Sequence, residues 1–240
     1  MNSEVAIFLF IFCNVLIGYL IGSIMTSDIV GHFIKSSARY QWSKNPGTTN
    51  SIRVYGKKLG LVVGIFDILK GFFAFLICWS ILEYGLKPYI TEDHYDKIYY
   101  LVYLTNLMVI VGHCWPVFFK FKGGKAAAPT AGLLISVSYW WLIIIVVVWW
   151  TTLFISKYVS LSTLISGALL PIINLINPLD HLNFFMLDNP LEFLTYQNDW
   201  HIILFLELVM MAVCAIIFWR HRANIVRLIN HNENRIGKKK

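Results

Sequence analysis

Six long apolar runs leave this chain few folds to choose from: Val5–Met25, Leu59–Leu82, Ile98–Phe119, Gly132–Ile155, Tyr158–Ile176 and Ile202–Trp219. About 18 apolar residues in a row are enough to cross a bilayer as a helix. Charged residues make up only 14% of the chain, whereas a soluble domain carries about 25%. The first run lacks a basic leader and a small-residue cleavage site, so it is expected to stay as a helix rather than be removed as a signal peptide. No repeat, linker or soluble domain interrupts the pattern. The expectation is one all-α integral membrane domain over residues 1–240.

Lys and Arg set the orientation, because they collect on the cytoplasmic side. Seventeen of the 20 fall between the first two runs, after the third, just before Tyr158, or after the last run. The stretch Glu83–Lys97 has two, Lys87 and Lys97, beside four acids. The stretch Asn177–His201 has none, but carries Asp180, Asp188, Glu192 and Asp199. Six spans would put that acidic stretch and the basic tail on the wrong sides. One more crossing restores the parity. Residues 125–156 are about twice as long as one helix needs at ~1.5 Å per residue. Ser136-Val137-Ser138 is the polar turn within them. The sequence therefore predicts seven spans, including a short fourth near Lys125–Val137 and a full fifth near Tyr139–Ser156. The N-terminus lies outside and the C-terminus in the cytoplasm. The short span must tilt, be shielded, or meet a thinned bilayer.

Three basic, glycine-punctuated stretches then share the cytoplasmic face: 43–53, 112–125 and 220–227. Lys, Arg, His, Asn, Ser and Gly beside a bilayer suit an anionic, phosphorylated ligand. Pro46-Gly47-Thr48-Thr49-Asn50 can aim backbone N–H groups and a helix N-terminus at phosphate; a plain capped connector would use the same residues. Arg53 can grip phosphate bidentately, or merely snorkel. Gly123-Gly124 lets backbone approach a ligand, with Lys125 as a point charge; a helix-starting loop is the bland alternative. His113 is a ligand contact or a histidine satisfied near a helix end. His221 and Asn224 share a helical face that Arg227 continues, either as a site or as a basic flank. Asp67 and Lys70 lie one turn apart inside a span, where charge is costly and usually paired or functional. They read as a buried pair that positions the loops, with Lys70 within reach of the site.

Several chemistries are excluded. Gly124-Lys125 is no P-loop, since Ala126 stands where Ser or Thr belongs and Phe119 where the first Gly belongs. There is no zinc helix of the His-Glu-x-x-His type and no His with an Asp four residues on. No paired aspartates of an alcohol phosphotransferase and no Ser-His-Asp set can be built. Cys13, Cys78, Cys114 and Cys214 have no metal-site spacing and are expected to be free, buried thiols. Trp140-Trp141 and Trp149-Trp150 read as lipid-facing and interfacial residues. The net charge of +7 reflects topology and anionic ligands, not nucleic acid.

These residues together resemble the bacterial acyl-phosphate:glycerol-3-phosphate acyltransferases (PlsY). The resemblance rests on Gly22-Ser23-Ile24, on Arg39 through Arg53 with Ser43, Asn45, Gly47, Thr49 and Asn50 in place, and on Asp67-x-x-Lys70-Gly71. It continues through Gly112-His113-x-x-Pro116, Phe121-Lys122-Gly123-Gly124-Lys125 and Arg220-His221-Arg222-x-Asn224-Ile225-x-Arg227-Leu228, with Glu233 as the tail glutamate. The motifs run in order along nearly the whole chain. Departures are Trp42, Lys44, Ala126 and His231 in place of Gly, Thr48 in place of Ala, and Pro129 in place of Thr. A left-handed backbone at Lys44 would be strained.

The resemblance implies seven helices and an active site at the cytoplasmic face of the cell membrane. It implies acyl transfer from acyl phosphate to the 1-hydroxyl of sn-glycerol 3-phosphate, the first step of phospholipid synthesis, with no cofactor or metal; a monomer is expected. Ser43, Asn45, Gly47, Thr49 and Asn50 would cradle acyl phosphate. Arg53, Lys125, His221 and Asn224 would orient glycerol 3-phosphate or steady the oxyanion. Lys70, His113, Gly123, Gly124 and Arg227 would support binding. A phosphate oxygen of the substrate would take the hydroxyl proton, with His221 as the alternative base. A membrane carrier of an organic phosphate and an inactive family member are the competing expectations.

Overall fold

A computed structural model describes residues 1–175 and 200–236, and every element among them is helical. Residues 177–199, including Asp188, and the tail Lys238–Lys240 lie outside the described residues. The chain forms two compact units, residues 1–136 and 137–240.

In the first unit, α1 (Ser3–Ser23) starts at Asn2, whose side chain accepts from the Val5 N–H at 2.9 Å. Short α2 (Thr26–Phe33) follows, then a loop, α3 (Thr48–Tyr55) and α4 (Lys57–Ser80). A π-turn at Ile81–Leu86 and a 3-10 turn close α4, and α5 (Glu92–Ile98) leads to α6 (Tyr103–Cys114). Asp93 on α5 is held below the usual carboxylate range by the hydrogen bonds from Lys97. After α6, a basic loop leads to α7 (Ala127–Val137).

Glycines set how these helices pack. A Cβ on Gly22 of α1 would lie 2.3 Å from the Val109 carbonyl oxygen on α6, and one on Gly112 would lie 2.3 Å from that of Tyr19. Small residues let helices in lipid approach backbone to backbone, where no hydrophobic force drives them together. Buried Thr105 of α6 donates to buried Asn14 of α1 across the same seam. α3 lies along α4 because Gly60 and Gly64 leave room for Ile52 and Thr48. Gly71 and Gly132 do the same where α4 meets α7.

In the second unit, α8 (Tyr139–Ser156), α9 (Val159–Leu175), α10 (Trp200–Arg220) and α11 (Arg222–Ile229) follow in order. The chain breaks at Ser138, whose side chain caps α8, which is where the polar turn was expected. The amide of buried Asn174 of α9 donates to half-buried Glu207 of α10 at 2.9 Å and to the Ile203 carbonyl at 3.3 Å, which ties the two helices together.

Among the described residues, five helical stretches are long and apolar enough to cross a membrane: Ser3–Phe33, Lys57–Tyr89, Tyr99–Phe119, Tyr139–Ser156 and Trp200–Arg220. Ala127–Val137 and Val159–Leu175 are apolar but shorter. The 11 residues of α7 reach only ~16 Å at ~1.5 Å per residue.

Three expectations need correction. The third apolar run is not one α-helix, since 3-10 turns at Tyr99–Val102 and Val117–Phe119 flank α6. Of the tryptophans read as lipid-facing, Trp141 is buried and Trp149 donates to Thr163 of α9 at 3.2 Å; Trp150 is exposed as expected. All four cysteines are free, but only Cys78 and Cys114 are buried.

Candidate functional site

The first loop is built around Asn50. This residue sits in the first turn of α3 and is 1% exposed. Its amide donates to the carbonyls of Ala38 (2.8 Å) and Gln41 (3.1 Å), and its carbonyl accepts from the Ser43 N–H at 3.2 Å. An asparagine can make all three bonds at once, so the loop folds back on its own exit helix. Asn50 was expected in the phosphate cradle. Its polar atoms instead hold the backbone on which Ser43 stands.

Beside it, Gly47 is the N-cap of α3 with no side-chain cap. Asn45 packs over it, since a Cβ on Gly47 would lie 2.7 Å from the Asn45 amide nitrogen. The first-turn N–H groups of α3, including that of half-buried Thr49, gain no capping side chain. An uncapped helix start next to a glycine is suited to an anion. Arg53 lies one turn further along α3, half-buried, with no hydrogen bond or ion pair to any described residue.

Arg39 pins the first loop to the second. It grips Asp28 of α2 bidentately at 2.6 Å and 2.6 Å, donates to the Lys122 carbonyl, and stacks 4.5 Å over the Phe119 ring. Tyr55 adds a second tie: its hydroxyl donates to the Ser27 carbonyl and accepts from the Ala38 N–H. The Gly22-Ser23-Ile24 stretch acts likewise. Ser23 caps the second loop at the Val117 N–H, while Gly22 and Ile24 offer carbonyls to Lys70. Sequence reasoning gave Asp28 no role. It is one of only two acids between Glu4 and Glu83, and that rarity was the available signal.

The second loop is organised by buried charge. Lys70 Nζ lies 3.0 Å from Asp67 Oδ1, and donates to the Gly22 carbonyl (3.1 Å), the Ile24 carbonyl (3.0 Å) and His113 Nδ1 (2.9 Å). Asp67 and His113 are 1% and 3% exposed. Asp67 Oδ1 also accepts from Thr26, whereas Oδ2 is buried with no partner. The expected buried pair is present. Lys70 was also expected to reach substrate; its ammonium is instead committed to protein groups. The glycines have a different neighbour from the one expected. A Cβ on Gly123 would meet the His113 carbonyl oxygen at 2.1 Å, and one on Gly124 would meet His113 Nε2 at 2.0 Å.

Four side chains stand where the resemblance has glycine, and all four are left-handed: Trp42 (φ 53°), Lys44 (φ 54°), Ala126 (φ 71°) and His231 (φ 56°). An L-residue at such a position costs roughly 1–2 kcal/mol.

In the second unit, His221 sits at the joint of α10 and α11, buried, with Nδ1–H donating to the Ile217 carbonyl at 2.9 Å. That bond places the proton of the neutral ring on Nδ1 and makes Nε2 the acceptor. Asn224 and Arg227, on the same face of α11, donate to the two oxygens of Glu233 at 2.9 Å and 2.7 Å. Glu233 therefore holds both. Among the described residues no group of three or more His, Cys, Asp or Glu is placed to bind a metal.

Long apolar helices and a buried Asp67–Lys70 pair, with basic loops beside them, fit a multi-pass integral membrane protein. A sequence profile of glycerol-3-phosphate acyltransferases matches residues 12–231. The chain is 46% identical over 236 residues to the glycerol-3-phosphate acyltransferase of Mycoplasma pneumoniae, covering 98% of both. It is 47% identical over 242 positions to that of Mycoplasmoides gallisepticum, covering all of both. Its fold is similar to the crystal structure of PlsY, an integral membrane glycerol 3-phosphate acyltransferase, in the glycerol 3-phosphate form. That match has a TM-score of 0.72 and 28% identity, over 97% of this chain and 96% of that one. The lysophosphatidic acid form matches at 0.70. The chain belongs to the glycerol-3-phosphate acyltransferase family.

Proposed function

We propose that this chain transfers an acyl group from acyl phosphate to the 1-hydroxyl of sn-glycerol 3-phosphate. The hydroxyl oxygen attacks the acyl carbonyl carbon, and the bond from that carbon to the phosphate oxygen breaks. Inorganic phosphate and 1-acylglycerol 3-phosphate result. The hydroxyl proton goes to a phosphate oxygen of the substrate, whose second pKa lies near about 6. His221 Nε2 is the alternative acceptor.

The observation that carries this reading is Arg53. This half-buried arginine, with no protein partner among the described residues, lies one turn beyond an uncapped helix start. Such a cation is available to grip a phosphate bidentately. Ser43, Asn45, Gly47 and Thr49 would take the acyl phosphate, on a backbone held by Asn50. Arg53, Lys125, His221 and Asn224 would take glycerol 3-phosphate and steady the developing oxyanion. Arg227 would act through Glu233. The donor's tail stays in lipid while its phosphate meets the loops.

The proposed topology is seven spans with the N-terminus outside and the site at the cytoplasmic face of the cell membrane, in a single domain acting as a monomer. Five helical stretches long enough to cross and two shorter apolar helices among the described residues, and the Lys and Arg bias, support it. The carrier reading loses its main support, because Lys70 is satisfied by protein groups rather than open to cargo. Purified protein given palmitoyl phosphate and glycerol 3-phosphate should release phosphate only when both are present. Phosphate release that ignores glycerol 3-phosphate would refute the proposal.

A further inference from the structure

We infer that Lys70 and His113 are positioning residues that set the aim of Lys125, and that Gly123 and Gly124 are glycines for the sake of His113 rather than of a ligand. This rests on the proposed acyl transfer, because Lys125 is given a substrate phosphate there.

The argument starts with hydrogen counting. An ammonium has three hydrogens. Lys70 Nζ has four acceptors within 3.1 Å: Asp67 Oδ1, the Gly22 and Ile24 carbonyls, and His113 Nδ1. The lysine therefore has no hydrogen left for a substrate. Its bond to His113 fixes that ring: Nδ1 accepts, and Nε2 carries the proton of the neutral imidazole. Nε2 is the edge that a Cβ on Gly124 would strike at 2.0 Å.

The second loop is then held at three successive residues. Arg39 holds the Lys122 carbonyl. Gly123 passes so close to the His113 carbonyl oxygen that a Cβ would lie 2.1 Å from it. The Gly124 N–H donates to that same oxygen at 2.9 Å. Lys125 follows at once, and beyond it Ala126 is left-handed and starts α7 by accepting from the Thr130 N–H at 3.0 Å. Lys125 is thus bracketed by a clamped glycine and a helix start. The ring edge that closes this clamp over Gly124 traces back to one ammonium on α4. A ring shifted by even ~1 Å would move the base of the Lys125 side chain, and misplacement of that size can cost about a hundredfold in rate.

A double-mutant cycle tests this in full-length protein reconstituted in lipid. Gly124→Ala should lower kcat/KM for glycerol 3-phosphate at least about tenfold. His113→Asn is the partner change. Its side-chain oxygen can still accept from Lys70, but it lacks the ring edge that meets Gly124. Adding Gly124→Ala to His113→Asn should cost less than about threefold, since the clash is gone. Lys70→Met should raise KM for glycerol 3-phosphate more than it lowers kcat, and Lys70→Arg should restore part of the loss. If Gly124→Ala prevents folding, recovery of a monodisperse protein in the double variant reads out the same coupling. Equal cost of Gly124→Ala in both backgrounds would overturn the inference, because a glycine serving a ligand would not care about His113. Wild-type protein without any acyl transfer would overturn the proposed function instead.

Discussion

Replacing Asn50 with Asp changes one side-chain nitrogen to oxygen and separates a scaffold from a ligand contact. The amide donates to the Ala38 carbonyl at 2.8 Å and the Gln41 carbonyl at 3.1 Å, in a site 1% exposed. Aspartate can make neither bond, and an ionised one faces two carbonyl oxygens. Two lost hydrogen bonds cost about 2 kcal/mol, and burying acceptors and charge without partners adds at least about 1–3 more. A total of at least about 3 kcal/mol lowers the melting temperature by roughly 6 °C or more for a chain of this size. The assay is thermal unfolding in lipid nanodiscs, alongside protease cutting between Ala38 and Thr48. The variant should melt early and be nicked in that loop before the helices unfold. A variant that melts within about 1 °C of wild type, resists nicking and loses only activity would show that Asn50 serves a ligand and not the loop.

Other outcomes follow from the same structure. Lys44→Gly and Ala126→Gly should melt at or above wild type, because relief of roughly 1–2 kcal/mol of left-handed strain offsets a glycine entropy cost of about 0.5–1; a clear fall in melting temperature would contradict this. Arg53→Ala and Lys125→Ala should keep the fold and lose at least about tenfold in acyl transfer, since hydrogen bonds to charged groups are worth roughly 1.5–3 kcal/mol. His221→Ala should be milder if substrate phosphate takes the proton. In a cysteine-free background, a cysteine at position 92 should label from outside and one at 122 only from the cytoplasmic side; the reverse pattern would overturn the proposed topology.

Much of the helical layout could be read from hydropathy, because lipid demands long apolar helices and a polar break stands out within them. The turn at Ser138 was legible for that reason. The Asp67–Lys70 pair was legible from charge inside a span. What could not be read was direction. Lys70 and His113 looked like ligand groups, and only packing reveals that they face each other. Gly123 and Gly124 looked like room for substrate, because a sequence shows that a side chain is missing but not what fills the gap. Asn50 read as a cradle residue, and its bonds to Ala38, Gln41 and Ser43 could not be read because they form only when the irregular loop folds back on α3. Asp28 was overlooked because its partner Arg39 lies 11 residues away, beyond any helical spacing. Asn14, Thr105, Asn174 and Glu207 are polar residues inside apolar runs, and their pairings needed the helix contacts.

Donor choice tests the central claim most directly. Purified protein in lipid should be given glycerol 3-phosphate with either palmitoyl phosphate or palmitoyl-CoA, and 1-acylglycerol 3-phosphate measured in both. In the proposed site a compact phosphate would be held at Gly47 and Arg53, and the sequence has no His-x4-Asp base. Product should therefore form from palmitoyl phosphate, with one phosphate released per acyl chain transferred, and not from palmitoyl-CoA. Robust transfer from palmitoyl-CoA with none from palmitoyl phosphate would contradict the account.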